Sequence, residues 1–145
     1  AAAHPQVVCH RGDLEAVETG DPRRTAASWY GVRLPRVRVD RVLQEDGEVV
    51  PVGEAALRCL HTPGHTPGSI SVVWDTPHGR VLFAQDVHGP FHPDFGSDED
   101  LWAASMRRLL ALEADVLCEG HYGVFRGRDA VRAFLLDQLE RQGYG

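Results

Sequence analysis

The chain has 145 residues, 43% hydrophobic and 25% charged, with a formal net charge of −6 at neutral pH. That length buries roughly 70% of the unfolded surface, so one domain over residues 1–145 with a real core is expected. The acidic balance excludes nucleic acid as the main partner, and no apolar run approaches the ~18 residues of a membrane span.

Ala1–Pro5 reads as the tail of a helix, because a helix stops near the residue before proline. Gln6–His10 follows as a short buried strand. Asp13–Thr19 forms a short helix closed by Gly20, and Pro22–Gly31 a loop or helical turn carrying Arg and Trp. In Val37–Leu43 the alternation of valine with arginine predicts a half-buried strand. After the polar turn Gln44–Gly47, Glu48–Val52 and Ala56–His61 are two more strands. Ser69–Trp74 and Arg80–Gln85 flank the turn Asp75–Gly79 and predict a hairpin. Val87–Gly96 is a loop rich in His, Pro, Phe and Gly. Ser97 then opens a helix with Asp100 as capping-box partner, and Leu101, Trp102, Ala104, Met106, Leu109, Leu110 and Leu112 mark its apolar face. Asp115–Cys118 is a short strand leading into Glu119-Gly120-His121. Arg128–Gln142 is a second amphipathic helix that buries Val131, Phe134, Leu135 and Leu139, and Gly143 stops it. Strands interleaved with helices predict an α/β fold with a mixed sheet flanked by helices.

Cys9, Cys59 and Cys118 show no CxxC spacing, and their odd number argues against a disulfide framework. Their apolar surroundings suit small buried side chains in a reducing compartment. With no basic start and apolar core of a secretory signal, the cytoplasm is expected. All 15 basic residues are arginine, a compositional bias rather than a functional signal.

The chemistry concentrates in Leu60-His61-Thr62-Pro63-Gly64-His65-Thr66-Pro67-Gly68-Ser69. Its prolines and glycines make it a rigid loop between two extended runs. Such loops at sheet ends carry functional side chains. Asp86 ends the strand Arg80–Gln85, and His121 follows the strand Asp115–Cys118. Neutral imidazole and carboxylate are the usual protein ligands of a catalytic zinc. His65, Asp86 and His121 are therefore the candidate metal ligands, with Asp86 placed to bridge two cations and hold the catalytic hydroxide between them. Bound water would there have its pKa lowered to roughly 7. The same ligands suit zinc, iron or manganese. Taken singly, His65 also reads as a hydrogen-bonding loop residue, Asp86 as a cap and His121 as a turn residue.

His61 is expected in a structural or supporting role. His10 is expected to hydrogen-bond at a strand end, and His4 and His78 to be solvated. His88, His92 and Asp94 either touch substrate or anchor their loop. Tyr122 either donates a hydrogen bond to a substrate oxygen or packs.

These residues resemble the metallo-β-lactamase fold superfamily of binuclear metallohydrolases. His61–Ser69 is similar to its HTPGHTPGS loop, Phe83-Ala84-Gln85-Asp86 to its bridging-aspartate strand end, and Glu119-Gly120-His121-Tyr122-Gly123 to its second ligand loop. The resemblance implies an αββα sandwich with two metals at one edge, His65 on the first, His121 on the second and Asp86 shared. It implies a small-molecule substrate with an ester, thioester or lactone bond, as in the glyoxalase II-like and lactonase-like branches.

The family's His-X-His-X-Asp-His signature is not found in this chain. A C-terminal portion, inactive without the missing half, is the expectation, with a complementary N-terminal segment or a homo-oligomer as its partner. The alternative is a metal-free interaction or scaffold domain that retains relics of the site.

Overall fold

The computed structural model describes residues 6–145; the expected helix tail Ala1–Pro5 and His4 lie outside them. The strands are β1 (Val8–His10), β2 (Arg41–Leu43), β3 (Glu48–Val52), β4 (Ala55–His61), β5 (Ile70–Thr76), β6 (Gly79–Phe83), β7 (Val116–Glu119) and β8 (Gly123–Arg126). The helices are α1 (Leu14–Thr19), α2 (Glu99–Leu110) and α3 (Arg128–Arg141). β3 to β8 form one six-stranded sheet in sequence order, and β1 and β2 pair in a separate parallel sheet. The mixed α/β architecture is as expected. No described helix is long and apolar enough to cross a membrane.

The anticipated hairpin is β5–β6, with Val73 opposite Leu82. Every pairing in the large sheet is antiparallel except β6–β7. β4, β6 and β7 therefore run in one direction and end at the same edge. The loops that follow them carry His65, Asp86 and His121.

Directly paired residues share a face of the sheet. Leu60, Val73, Leu82 and Leu117 line the face covered by α2 and α3, against Trp102, Met106, Leu109, Val131, Leu135 and Leu139. All of these are buried to 3% exposure or less, so this layer is the main apolar core.

Four details differ from the sequence reading. Of Val37–Leu43, only Arg41–Leu43 is a strand, because three-residue β1 is its partner and the preceding segment is largely exposed. β8 was not anticipated: it is an edge strand with a glycine, an arginine and little burial. Asp98, not Ser97, caps α2, its carboxylate accepting from the Leu101 amide at 2.9 Å. Leu101 and Ala104 face solvent, while Ala103 and Ser105 are buried with Trp102, Met106 and Leu109. The cysteines are free. Burial pushes the Cys9 and Cys59 thiols above the ordinary range, which favours the protonated form.

Candidate metal centre

The His61–Ser69 loop is clamped from several directions. Asp13 accepts from the Gly68 amide at 3.0 Å and the Thr66 hydroxyl at 2.5 Å. Ser97 donates to the His65 carbonyl at 2.7 Å, and Ser105 to the Pro63 carbonyl at 2.8 Å. Arg108 reaches the His61 carbonyl at 3.1 Å and pairs with Asp46, which accepts from the His61 amide. Gly64 lies directly over the backbone of Trp102, where a Cβ would overlap α2. A loop rich in proline and glycine is thus held as firmly as the sheet beneath it.

That clamping aims His65. Its Nδ1 is 2.7 Å from the Pro90 carbonyl. A carbonyl only accepts, so Nδ1 carries a hydrogen, and the neutral ring has its lone pair on Nε2. Nε2 lies 3.9 Å from Asp86 Oδ2. On the other side, His121 Nε2 lies 3.2 Å from Asp86 Oδ1. Each carboxylate oxygen of Asp86 thus faces a different imidazole.

Asp86 is set by its neighbours. Gln85, two residues past β6, adopts a left-handed conformation (φ 48°) that turns the chain. Its carbonyl accepts from the Gly120 amide at 3.0 Å. A Cβ at Gly120 would collide with Asp86 Oδ1, so only glycine lets the carboxylate lie against the β7 loop.

His88 joins the group. Donor atoms of Asp86, His88 and Glu119 lie within 4.8 Å of one another. Glu119 has no exposed side-chain surface. One of its oxygens takes the His121 and Tyr122 amides at 2.7 and 2.8 Å, and the other is 2.5 Å from His88 Nδ1. Burial raises the Glu119 pKa, but these three hydrogen bonds outweigh it and hold the carboxyl below the usual glutamate range. With both oxygens engaged, Glu119 serves to orient His88 and the His121 loop rather than to ligate. His88 donates through Nδ1, so its neutral ring has the lone pair on Nε2.

The donor set suits a divalent cation. It offers imidazole nitrogens with their lone pairs free at His65 and His88, a third imidazole at His121, and a carboxylate shared between them. His65, Asp86, His88 and His121 open together onto a cleft of about 300 Å³.

Other sequence candidates stand apart. His61 is structural: Nε2 meets the Pro67 carbonyl at 2.8 Å and its ring stacks on His10 at 3.9 Å. His92 anchors its loop, accepting from the Asp94 amide at 3.1 Å, and Asp94 pairs with Arg23. Tyr122 is 61% exposed and packs edge-on against His88.

Sequence reasoning missed Glu119, Asp13 and the aromatic wall formed by Trp29. An acidic residue at the buried end of a strand was the available signal for Glu119. Asp13 carried none, because its partners lie 53 and 55 residues away.

Residues 2–121 match the model of the metallo-beta-lactamase superfamily. An acyl-coenzyme A thioesterase MBLAC2 of Gallus gallus is 44% identical over 98 residues, covering 57% of this chain and 34% of its own length. A hydroxyacylglutathione hydrolase of Methylococcus capsulatus is 31% identical over 145 residues, covering 91% of this chain and 55% of its own. The chain thus spans between a third and about half of these curated relatives. Among solved structures, the BLEG-1 B3 metallo-beta-lactamase superposes with a TM-score of 0.72 at 23% identity, over 96% of this chain and 64% of that one. MIM-2 metallo-beta-lactamase gives 0.71 at 19% identity, over 94% and 58%. These structural likenesses show the fold alone, and the family match over residues 2–121 shows that the chain belongs to the metallo-β-lactamase superfamily.

Proposed function

We propose that the protein is a metal-dependent hydrolase acting on an acyl bond: an ester, thioester or lactone. The observation that carries this reading is Asp86, whose two oxygens face separate imidazoles, His65 and His121, at one sheet edge. The thioesterase and the hydroxyacylglutathione hydrolase among the relatives support acyl over phosphoryl substrates.

In this reading His65, Asp86 and His121 would hold the metal, with zinc favoured and iron or manganese accepted by the same donors. A bound divalent cation supplies Lewis acidity and brings the pKa of water to about 7. The chain's own residues do the rest. The Pro90 carbonyl fixes the His65 tautomer, and Glu119 fixes that of His88. His88 turns its Nε2 lone pair to the cleft beside Asp86, where it would accept a hydrogen bond or help hold the cation. Phe95, 5.6 Å from His65, shields one side of that ring from water.

The test is metal analysis of the purified protein beside a His65→Ala, His121→Ala double variant, with hydrolysis of thioester, lactone and phosphodiester panels by wild type and Asp86→Asn in the full-length protein. Metal in the wild type alone, and loss of all hydrolysis in Asp86→Asn, are expected. Equal and negligible metal in both, or full activity in Asp86→Asn, overturns the reading and leaves an interaction domain.

A further inference from the structure

Opposite the candidate ligands the cleft is closed by a segment that the chemistry above does not use: Arg24 and the single helical turn Ala27–Tyr30. This turn exposes two adjacent large aromatic side chains, Trp29 at 49% and Tyr30 at 78%. Single exposed aromatics are ordinary, but a pair facing a cleft across from a reactive centre is a recognition feature.

The turn is held rigid from behind. Ala27 is buried, at 3% exposure. The Ser28 amide donates to the Pro22 carbonyl at 2.8 Å, and the Trp29 amide to the Ala26 carbonyl at 2.9 Å. Asp21 caps the stretch, accepting from the Arg23 and Arg24 amides at 2.9 and 3.0 Å. Trp29 leans on Phe95 at 4.8 Å and meets the edge of His92 at 5.3 Å, and Phe95 in turn sits 5.6 Å from His65. An aromatic row thus runs from a candidate ligand to the mouth of the cleft. Its members are fixed before anything binds, which limits the entropy lost on binding.

The charge at this wall is already matched. Arg24 pairs with Glu15 at 3.2 Å and reaches the Gly12 carbonyl at 3.4 Å. The Glu15 carboxylate balances its charge, and the rest of the wall, Trp29 and Tyr30, carries none. The wall accordingly favours an uncharged, flat group.

Resting on the hydrolase reading, we infer that Trp29, with Tyr30 and Phe95, forms the acyl-group subsite and selects substrates bearing an aromatic or similarly flat apolar acyl group. Trp29 is a specificity-determining residue that touches the non-reacting part of the substrate. A contact made equally in the ground and transition states is felt in KM.

Two thioesters of one thiol, phenylacetyl and acetyl, test this in the metal-loaded full-length protein. Trp29→Ala should raise KM for the phenylacetyl substrate about tenfold, the stacking share of one ring. The acetyl substrate and both kcat values should stay within about twofold, and Trp29→Phe should restore most of the loss. Independently of turnover, phenylacetate should quench tryptophan fluorescence saturably in the wild type and in Trp74→Phe, but not in Trp29→Phe. Equal loss on both substrates, or unchanged quenching in Trp29→Phe, overturns the subsite. Phenylacetate binding at Trp29 without any thioester hydrolysis defeats the hydrolase reading and leaves the subsite standing. Hydrolysis that ignores the acyl group does the reverse.

Discussion

At the scale of single residues, Gly120 decides whether the candidate centre exists. Its missing Cβ is the space into which Asp86 Oδ1 projects. Gly120→Ala should displace the carboxylate while leaving the main core untouched. Misplacement of a reactive group by about 1 Å can lower rates 100-fold. Metal content at fixed free zinc should fall about tenfold or more, with an unchanged far-ultraviolet circular dichroism spectrum; wild-type metal content would show that Asp86 does not hold the ion. His65, Asp86 and His121 were legible because each follows an apolar strand and belongs to the short list of ligand chemistries. Glu119 was not legible as an orienting group. Its significance comes from burial and from two amides that turn back toward it, and neither is visible in the order of letters.

Among the elements, α2 does two jobs. Its apolar face packs on the sheet, and its polar positions hold the β4–β5 loop through Ser105 and Arg108. Ser97 and Asp98 are both chemically able to cap α2, and their tertiary partners decide between them. The Ser97 hydroxyl is occupied by the His65 carbonyl and the His92 amide, so the adjacent Asp98 takes the cap. Two residues with equal local propensity were separated only by tertiary partners. β8 escaped notice similarly, since an exposed edge strand lacks the apolar alternation that announces buried ones. The β5–β6 hairpin was legible because its turn chemistry and alternation are both local.

The Asp46–Arg108 pair extends this clamp to the turn before β3. The Arg108 guanidinium, opposed by burial and helped by the His61 amide, keeps the Asp46 carboxyl below the usual aspartate range. A carboxyl with a lowered folded pKa stabilises the fold above its unfolded value, about 3.9, and loses that contribution as the pH falls through the folded value. Asp46 is half exposed, so solvent screens the effect. Asp46→Asn should lower the thermal midpoint by about a few degrees at pH 7, and the gap should close below about pH 4. A gap of constant size from pH 7 to pH 3 would show that the ionised carboxylate is not its source.

For the whole molecule, the two faces of the large sheet differ sharply. The face away from α2 and α3 carries Ile70, Val72, Trp74, Val81, Phe83, Val116, Cys118 and Val124, matched by strand register. Trp74, Phe83 and Val124 are 38%, 40% and 53% exposed. An apolar surface of this kind invites association. The 145-residue chain purified alone should bind the dye ANS and sediment with concentration-dependent mass, and Phe83→Glu should reduce both. A monomeric wild type with no dye binding would show that this face is satisfied in solution.

The bond between Asp13 and the Thr66–Gly68 turn carries a consequence for the order of folding. It joins positions 53 and 55 residues apart, whereas the hairpins beneath it close over a few residues. Loop-closure entropy delays such distant contacts. The sheet and α2 can therefore hold the His61–His65 half of the loop first, and the Thr66–Gly68 half gains its Asp13 bonds when the amino-terminal segment docks. Hydrogen exchange at the Gly68 amide reads that docking directly, because its acceptor comes from the far end of the chain.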